Sequence, residues 1–577
     1  RYITFASTAS NLVAEQLPSG VTQVFLIDRG EGYLNHPPAA FSTAASTPVN
    51  STVTLSLDGS DDDEDDLSCV ILSLPLNGKL YDGAGQEPEN EIASSGHVVA
   101  NPAHQVTYVP NADFTGFDGF GFTVRDAFAE SAPAAVTVTV GDTDHGVIMR
   151  VSRPSPITEA NEDSAGLFTM GRVGITADGA RVCYASLASN LDAGFQDANS
   201  AEDVFAWSRD QSANALVSVS TDGTQGGQYE ASYDCAISPS GGYVVFSSLA
   251  RLADEDQNDY RDVYIRDLLT GTTTLVSRSM IHGLAGNGDS RSPSVSDGGE
   301  VVAFSSMATD LTSSQPAAEQ IYVWDRNSDT VTLISQDEEE PANADGLRPA
   351  VSSTGNAVAF ESAATNLGFA TGGRANVFLC WLADGGTDLV SSAPGRQAAD
   401  GDSGGAAVSM SGRYVAFHSK ATNLVSDDTN GVRDVFVRDM GASTIERISL
   451  SADGVQVDGD CLFAAISASG RFVYFRSRAS NLVGIDTDGK MSGYLVDRAA
   501  PIGDDGHIRL VSHAASGTAS GDADTWNGAV SATGRYVAFA SDAINLTASD
   551  TNGFRDVFLA DFGEPSNNAP VVSPENV

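Results

Sequence analysis

The sequence predicts an all-β protein: a seven-bladed β-propeller preceded by a separate β-sandwich. Three observations carry this. A motif of about 57 residues recurs seven times, anchored on Gly179, Gly241, Gly299, Gly355, Gly412, Gly470 and Gly534. Each copy parses into four short strand-like runs separated by turn residues. The fourth run is missing after the seventh copy and present ahead of the first.

The motif core reads Gly-Arg-Tyr-Val-Ala-Phe-x-Ser-x-Ala-x-Asn-Leu-Val, clearest from Gly412 to Val425. One strand precedes the glycine, as in Ala406–Ser409, and a second follows it, as in Tyr414–Phe417. The third is Asp434–Asp439 and the fourth Arg447–Ser449. The second strand is largely apolar, as suits a strand buried between neighbouring blades. The fourth recurs at Leu216–Ser218, Leu275–Ser277, Leu333–Ser335, Leu389–Ser391 and Leu510–Ser512, with its displaced copy at Arg150-Val151-Ser152. A closed ring explains that displacement: the strand near 147–153 completes the last blade and removes the open edges. The propeller therefore spans 143–564. An open solenoid would leave the displacement unexplained.

Length and charge agree with this division. At 577 residues the chain exceeds one compact domain. Lys+Arg is 31 against Asp+Glu 76, a formal charge of −45. Such a surface repels nucleic acid and anionic membranes and suits divalent cations, or simple solubility in salty surroundings. No run is long and apolar enough to span a bilayer. The five cysteines include no Cys-x-x-Cys pair and three sit in apolar runs, as buried small hydrophobes do.

The segments Ser409–Phe417 and Asp434–Asp439 resemble the repeats of TolB-like, PD40-type propellers, and the resemblance extends over all seven copies. It implies the propeller fold and leaves the function open.

Residues 35–142 read differently, with short alternating runs at Thr52–Leu57, Cys69–Leu74, Gln105–Val109, Phe120–Arg125 and Ala135–Val140. That pattern predicts a β-sandwich. The stretches Gly59–Leu67, Asn111–Phe120 and Val124–Asp126 resemble the bacterial cadherin-like or Ig-like repeats of giant adhesins. In that family Asp61, Asp63, Asp65 and Asp126 are the positions associated with calcium, although Glu64 replaces the usual glycine.

The chain ends echo its interior. Arg1–Ser7 reads almost as Arg535–Ser541, and Asn567–Val572 resembles the approach to the sandwich at Asn35–Pro38. Residues 1–34 are thus expected to be the tail of a preceding propeller and 565–577 the start of a following sandwich. Covalent tandem units and strand exchange between subunits both remain open.

A loop between the second and third strands has metal-like spacing. It recurs as Asp197, Asn199 and Asp203; as Asp256, Asn258 and Asp262; as Asp428, Asn430 and Asp434; and as Asp550, Asn552 and Asp556. A partial copy stands at Asp486 and Asp488. Oxygen ligands two apart and then four further on suit a hard cation. The pattern resembles the calcium loops of integrin-type propellers. Only Asp254 places a carboxylate at the leading position. Asp-x-Asn-Gly also turns tightly without metal.

Enzyme motifs are missing: no Gly-x-Ser-x-Gly elbow, no His-Glu-x-x-His and no phosphate loop. The eight histidines are scattered. The Arg-Asp pairs Arg266-Asp267 and Arg438-Asp439 are expected to tie neighbouring blades. Together these readings predict a non-enzymatic extracellular or cell-surface protein. It would be a unit of a long fibre or adhesin, stiffened by calcium, partnering copies of itself, with a surface glycan or protein as a further partner. The alternatives are a propeller-based binding module and a calcium-dependent polysaccharide-active enzyme.

Overall fold

The computed structural model describes residues 2–7, 23–28 and 37–563, except 42, 49, 62–64, 76, 113, 115, 142–145, 155–158, 166–171, 193, 196, 198, 505, 516, 518, 548 and 549. Asp63 and residues 565–577 fall outside these. The chain divides into two units, Arg1–Val140 and Gly141–Val577.

In the first unit Tyr2–Ser7 pairs antiparallel with Gln23–Asp28, Tyr2 facing Asp28. Tyr536–Ser541 pairs with Asp556–Asp561 in the same manner, Tyr536 facing Asp561. The sequence echo at the chain start is therefore also an echo of strand pairing. The rest of this unit is a sandwich. Its five-stranded sheet runs His97–Val98, Ser68–Ile71, Gly116–Arg125, Ala134–Val140, Thr43–Thr47, the last pair being parallel. Its four-stranded sheet runs Val53–Ser56, Gln105–Pro110, Gly78–Asp82, Glu91–Ile92. Alternation builds the core: Phe120, Phe122 and Val124 of one strand and Val136, Val138 and Val140 of its neighbour face inward. Buried Tyr108 donates its hydroxyl to Asp118 Oδ2 at 2.9 Å, so the polar end of the ring is satisfied.

The second unit contains seven four-stranded antiparallel sheets, numbered here I to VII. Sheet I comprises Val173–Ile175, Arg181–Ser186, Asp203–Ser208 and Ala213–Leu216. The first strands of sheets II to VII are Ser232–Ile237, Ser290–Val295, Gly346–Val351, Ser403–Val408, Cys461–Ile466 and Thr525–Val530. Sheet VII takes its fourth strand from far away in sequence: Val147–Arg150 pairs antiparallel with Asp556–Asp561.

The repeated motif reflects repeated contacts. In every sheet an aromatic pair stacks between the two middle strands, from Tyr184–Phe205 (6.3 Å between centroids) to Phe539–Phe558 (5.7 Å). The motif serine accepts the amide two residues on, as Ala421 N–H to Ser419 Oγ at 3.0 Å, which explains Ser-x-Ala. The Arg of Gly-Arg-Tyr forks onto the Asp that ends the third strand: Arg413 on Asp439, Arg471 on Asp497 and Arg535 on Asp561. The Arg preceding that Asp reaches the neighbouring sheet. Arg266 donates to Val219 O, and Arg438 to Val390 O at 3.1 Å.

Neighbouring sheets are joined by one recurring backbone bond. The first strand of each sheet donates an N–H to the carbonyl just before the third strand of the preceding sheet. The series runs Ser232 to Glu202, Ser290 to Arg261, Gly346 to Glu319, Ser403 to Ala375, Cys461 to Arg433 and Thr525 to Met491. A seventh bond, Ser164 N–H to Arg555 O at 2.8 Å, joins the start of sheet I to sheet VII.

The anchor glycines form a second series. All seven lie at positive φ, between 69° and 81°. Each faces the preceding sheet: a Cβ on Gly470 would lie 2.3 Å from Tyr414 Cδ2, and one on Gly179 2.3 Å from Tyr536 Cδ2. Gly470→Ala is therefore expected to cost about 2–4 kcal/mol in urea unfolding, from left-handed backbone plus steric clash. Gly431→Ala, at φ 70° with nothing within 4 Å of its Cβ, isolates the backbone share at about 1 kcal/mol.

Candidate functional site

A cavity of about 430 Å³ lies where the first strands of the seven sheets converge, and residues from all seven line it. Four arginines stand in its wall: Arg172, Arg261, Arg291 and Arg348. Asp234 is the one carboxylate among the described lining residues. In a chain of net charge −45 this local reversal is distinctive.

The wall is built from irregular strand. The first strands of sheets II to VII each slip register against the second strand. Asp234, Ser292, Arg348 and Phe463 at these bulges hold left-handed backbone, with φ between 43° and 52°. Non-glycine residues in this region cost about 1–3 kcal/mol each and persist where the surroundings over-determine them.

The arginines are held in two ways. Arg291 Nε donates to Glu319 Oε1 at 2.9 Å, and Arg348 Nη1 to Glu361 Oε2 at 2.9 Å. Arg261 lies over the Tyr233 ring, 4.4 Å from its centroid. Behind the wall, buried Arg476 lies 4.6 Å from the Phe463 centroid and 5.5 Å from that of Trp526. His418 accepts the Phe463 amide at Nδ1 (3.3 Å). Burial, with Arg433, Arg348 and Arg476, pushes it down to about 4, so it is neutral at pH 7. Burial, with Asp234 and Asp203, pushes Glu202 up to about 8, Arg261 opposing.

These residues escaped the sequence reading, although a signal was present. The variable position of Phe-x-Ser carries Ser305, Glu361, His418 and Arg476. The residue just before the third strand carries Glu202, Arg261, Glu319, Arg433 and Arg555. Within so regular a repeat, the irregular positions mark the cavity and its surroundings.

The acidic loops lead into the third strands, and Arg261 of the wall directly precedes Asp262. The last Asp of each loop accepts a hydroxyl from the Val/Ile-Ser of the fourth run: Asp203 from Ser218 at 2.6 Å, Asp262 from Ser277, Asp434 from Ser449 and Asp556 from Ser152. That serine in turn accepts the next amide of the third strand, as Val557 N–H to Ser152 Oγ at 2.8 Å. The Asp is thus part of a strand-joining hydrogen-bond unit.

Fit to a cation differs from loop to loop. In sheet VII, Arg150 Nη1 stands between Asp550 Oδ1 (2.9 Å) and Asp556 Oδ2 (3.1 Å), so the protein's own positive charge fills the position and a metal does not fit. Asn552, expected as a ligand of the same loop, is corrected with them. Its Nδ2 donates to Asp556 Oδ2 at 3.2 Å and to Ala160 O at 3.3 Å, and its Oδ1 accepts the Phe554 amide at 3.0 Å. Asn552 is a turn former whose amide group is already used by the protein.

In sheet V, Arg447 approaches Asp427 (3.2 Å) and Asp428 (3.6 Å), again in place of a metal, while Asn430 donates to Asp434. In sheet I, Gln225 Nε2 bridges Asp197 (2.8 Å) and Asp203 (2.7 Å), and Asn199 donates to Asp203. In sheet VI, Asp486 accepts the Asp488 amide and Lys490 approaches Asp488. Sheet II differs. Tyr264 donates to Asp256, Asn258 donates to Gly286 O at 2.9 Å, and Asp262 Oδ2 is buried with no partner among the described residues. That oxygen is the feature by which the last Asp of this loop departs from those of the others; among the described residues no group of three or more acidic, His or Cys side chains is arranged to hold a metal ion. In the first unit, Asp126 Oδ1 accepts the amides of Phe128 and Ala129, and Asp61 Oδ1 that of Asp65 at 3.3 Å; both act as turn acceptors.

Residues 35–139 match the family described as bacterial Ig domain. No curated protein matches the chain. Among solved structures, a prolyl endopeptidase aligns at 10% identity over 70% of this chain and 51% of its own, with TM-score 0.42. Puromycin hydrolase aligns at 10% over 68% and 53%, TM-score 0.39. The GH74 enzyme of Niastella koreensis aligns at 14% over 71% and 63%, TM-score 0.31. The chain spans about half the length of the first two. Likeness this loose carries no argument about activity. The chain is all-β, with a bacterial Ig domain in its first unit. No helix among the described residues is long and apolar enough to cross a membrane.

The loops can be tested by substitution. Arg150→Leu, which installs the residue found at this place in most sheets, leaves buried carboxylates without their cation; urea unfolding should show a loss of about 3–5 kcal/mol. Burial, with Asp256 adding, raises Asp262 to about 8. Its folded form retains the proton that the unfolded form gives up, so its stabilisation is present below the unfolded pKa of about 4 and is lost as pH rises through 8. Asp262→Asn should therefore raise Tm relative to the parent by a margin that grows between pH 5 and pH 9.

Proposed function

We propose that this chain is a non-enzymatic structural and adhesive protein of the cell surface or extracellular space. In this reading the seven sheets are the blades of a closed β-propeller of TolB-like kind, and the Ig domain is a spacer that precedes it in the chain. The observation that carries the reading is the unbroken series of inter-sheet bonds, ending in Ser164 to Arg555 and locked by Val147–Arg150 within sheet VII. A ring fastened by its own chain resists opening from an edge, as a load-bearing module requires. Bacterial Ig domains support the surface location.

The partners in this reading are copies of the same protein, arranged in tandem or head to tail, with a surface glycan or protein as a further partner. Calcium at the sheet II loop would have to draw Asp254, Asp256 and Asn258 toward the unpartnered Asp262 oxygen, where it would supply a local cross-link. If so, millimolar calcium raises the Tm of the parent, and Asp262→Asn abolishes that rise. A flat response in the parent overturns the calcium assignment.

Protease shaving of intact source cells tests the location. Peptides of this chain released before lysis support it; recovery only from the cytosolic fraction overturns it. Turnover of a polysaccharide by the purified protein, lost in a cavity variant, would overturn the non-enzymatic reading.

A further inference from the structure

We propose that the cavity where the seven first strands meet binds a carboxylate-bearing saccharide of one or two sugar-acid units. This goes beyond the adhesive reading, since the cavity would hold such a ligand whether or not the chain belongs to a fibre.

The argument begins with charge. A surface of net −45 repels anions at long range, so an anion bound here is held by nearby groups. The cavity supplies those groups. Arg172 and Arg261 have no hydrogen-bonding side-chain partner among the described residues, and Arg261 Nε is buried without any. Stacking on Tyr233 occupies the face of the Arg261 guanidinium and leaves its in-plane donors for a ligand. Glu319 orients Arg291 through Nε and Nη2, and Glu361 holds Arg348 through Nη1, so each guanidinium retains donors. Forked donors match the two oxygens of a carboxylate.

Size and wall chemistry narrow the class. A cavity of about 430 Å³ is larger than a lone inorganic anion needs and lies in the usual range for small-ligand sites. Between the arginines stand Ser292, Ser305 and Asn527, which pair with hydroxyls. Asp234 accepts from a hydroxyl and disfavours a second negative charge beside it. Bulge backbone at positive φ fixes where Asp234, Ser292 and Arg348 stand, so the site is formed before the ligand arrives.

Calorimetry on the full chain at low salt tests this with digalacturonate, its neutral counterpart digalactose, and inorganic sulfate. Digalacturonate should bind and weaken as salt is added, with digalactose weaker by about tenfold or more. Arg261→Gln and Arg172→Gln should each weaken binding by about tenfold, with unchanged circular dichroism. Arg172 makes no side-chain hydrogen bond among the described residues. Arg396→Gln, which alters a side chain 81% exposed and paired with Asp388, should change nothing. Equal affinity for digalactose, equal affinity for sulfate, undiminished binding by both cavity variants, or no binding of digalacturonate each overturns the proposal. None of these outcomes bears on the surface location, which shaving tests separately.

Discussion

The second unit depends on one backbone hydrogen bond made seven times, from the first strand of each sheet, or the segment leading into it, to the carbonyl ahead of the third strand of its neighbour. Its importance lies in where it sits. It satisfies an amide that would otherwise be orphaned at a sheet junction, and it does so without specifying a side chain. The residue that lends the carbonyl is thereby free to be Glu202, Arg261, Ala375 or Met491. The frame is fixed by main chain, glycine and serine. Identity at the positions facing the centre is left open.

That division explains what could be read from the sequence. The repeat was legible because its causes are local and recur. Gly412 needs a left-handed backbone, Ser419 caps the next turn, and Arg413 meets Asp439 across a hairpin. The displaced fourth strand was legible because six Leu-Val-Ser-like runs need a seventh. The cavity was legible only in part: Arg261 falls at a variable position of the repeat, but Arg172, Arg291 and Arg348 are far apart in sequence and meet it only through the arrangement of the sheets. No local pattern distinguishes Arg291 from any other strand arginine.

The acidic loops show the reverse case, a pattern legible but ambiguous. Asp-x-Asn-x-x-x-Asp reads as a ligand set, yet serines of the fourth run claim its last member. Ser218 takes Asp203 from 15 residues away, and Ser152 takes Asp556 from 404. The middle member is claimed too, since Asn552 and Asn430 spend their amides on the Asp four residues on. Arg150 replaces a leucine of the repeat and puts a guanidinium between two carboxylates where a metal was expected. Buried charge of this kind contributes little net stability but punishes mispairing.

The strand that carries Arg150 sets the order of events in folding. Sheets I to VI are each built from one contiguous stretch and can form as they leave the ribosome. Sheet VII joins Val147–Arg150 to Asp556–Asp561, so its completion spans about four hundred residues and waits for almost the whole unit to be made. Until then the early strand is an apolar run with an unpaired edge. A truncated chain would leave that edge available to any partial sheet. The long-range pairing that completes sheet VII thus leaves the unfinished chain prone to capture until its last strand emerges.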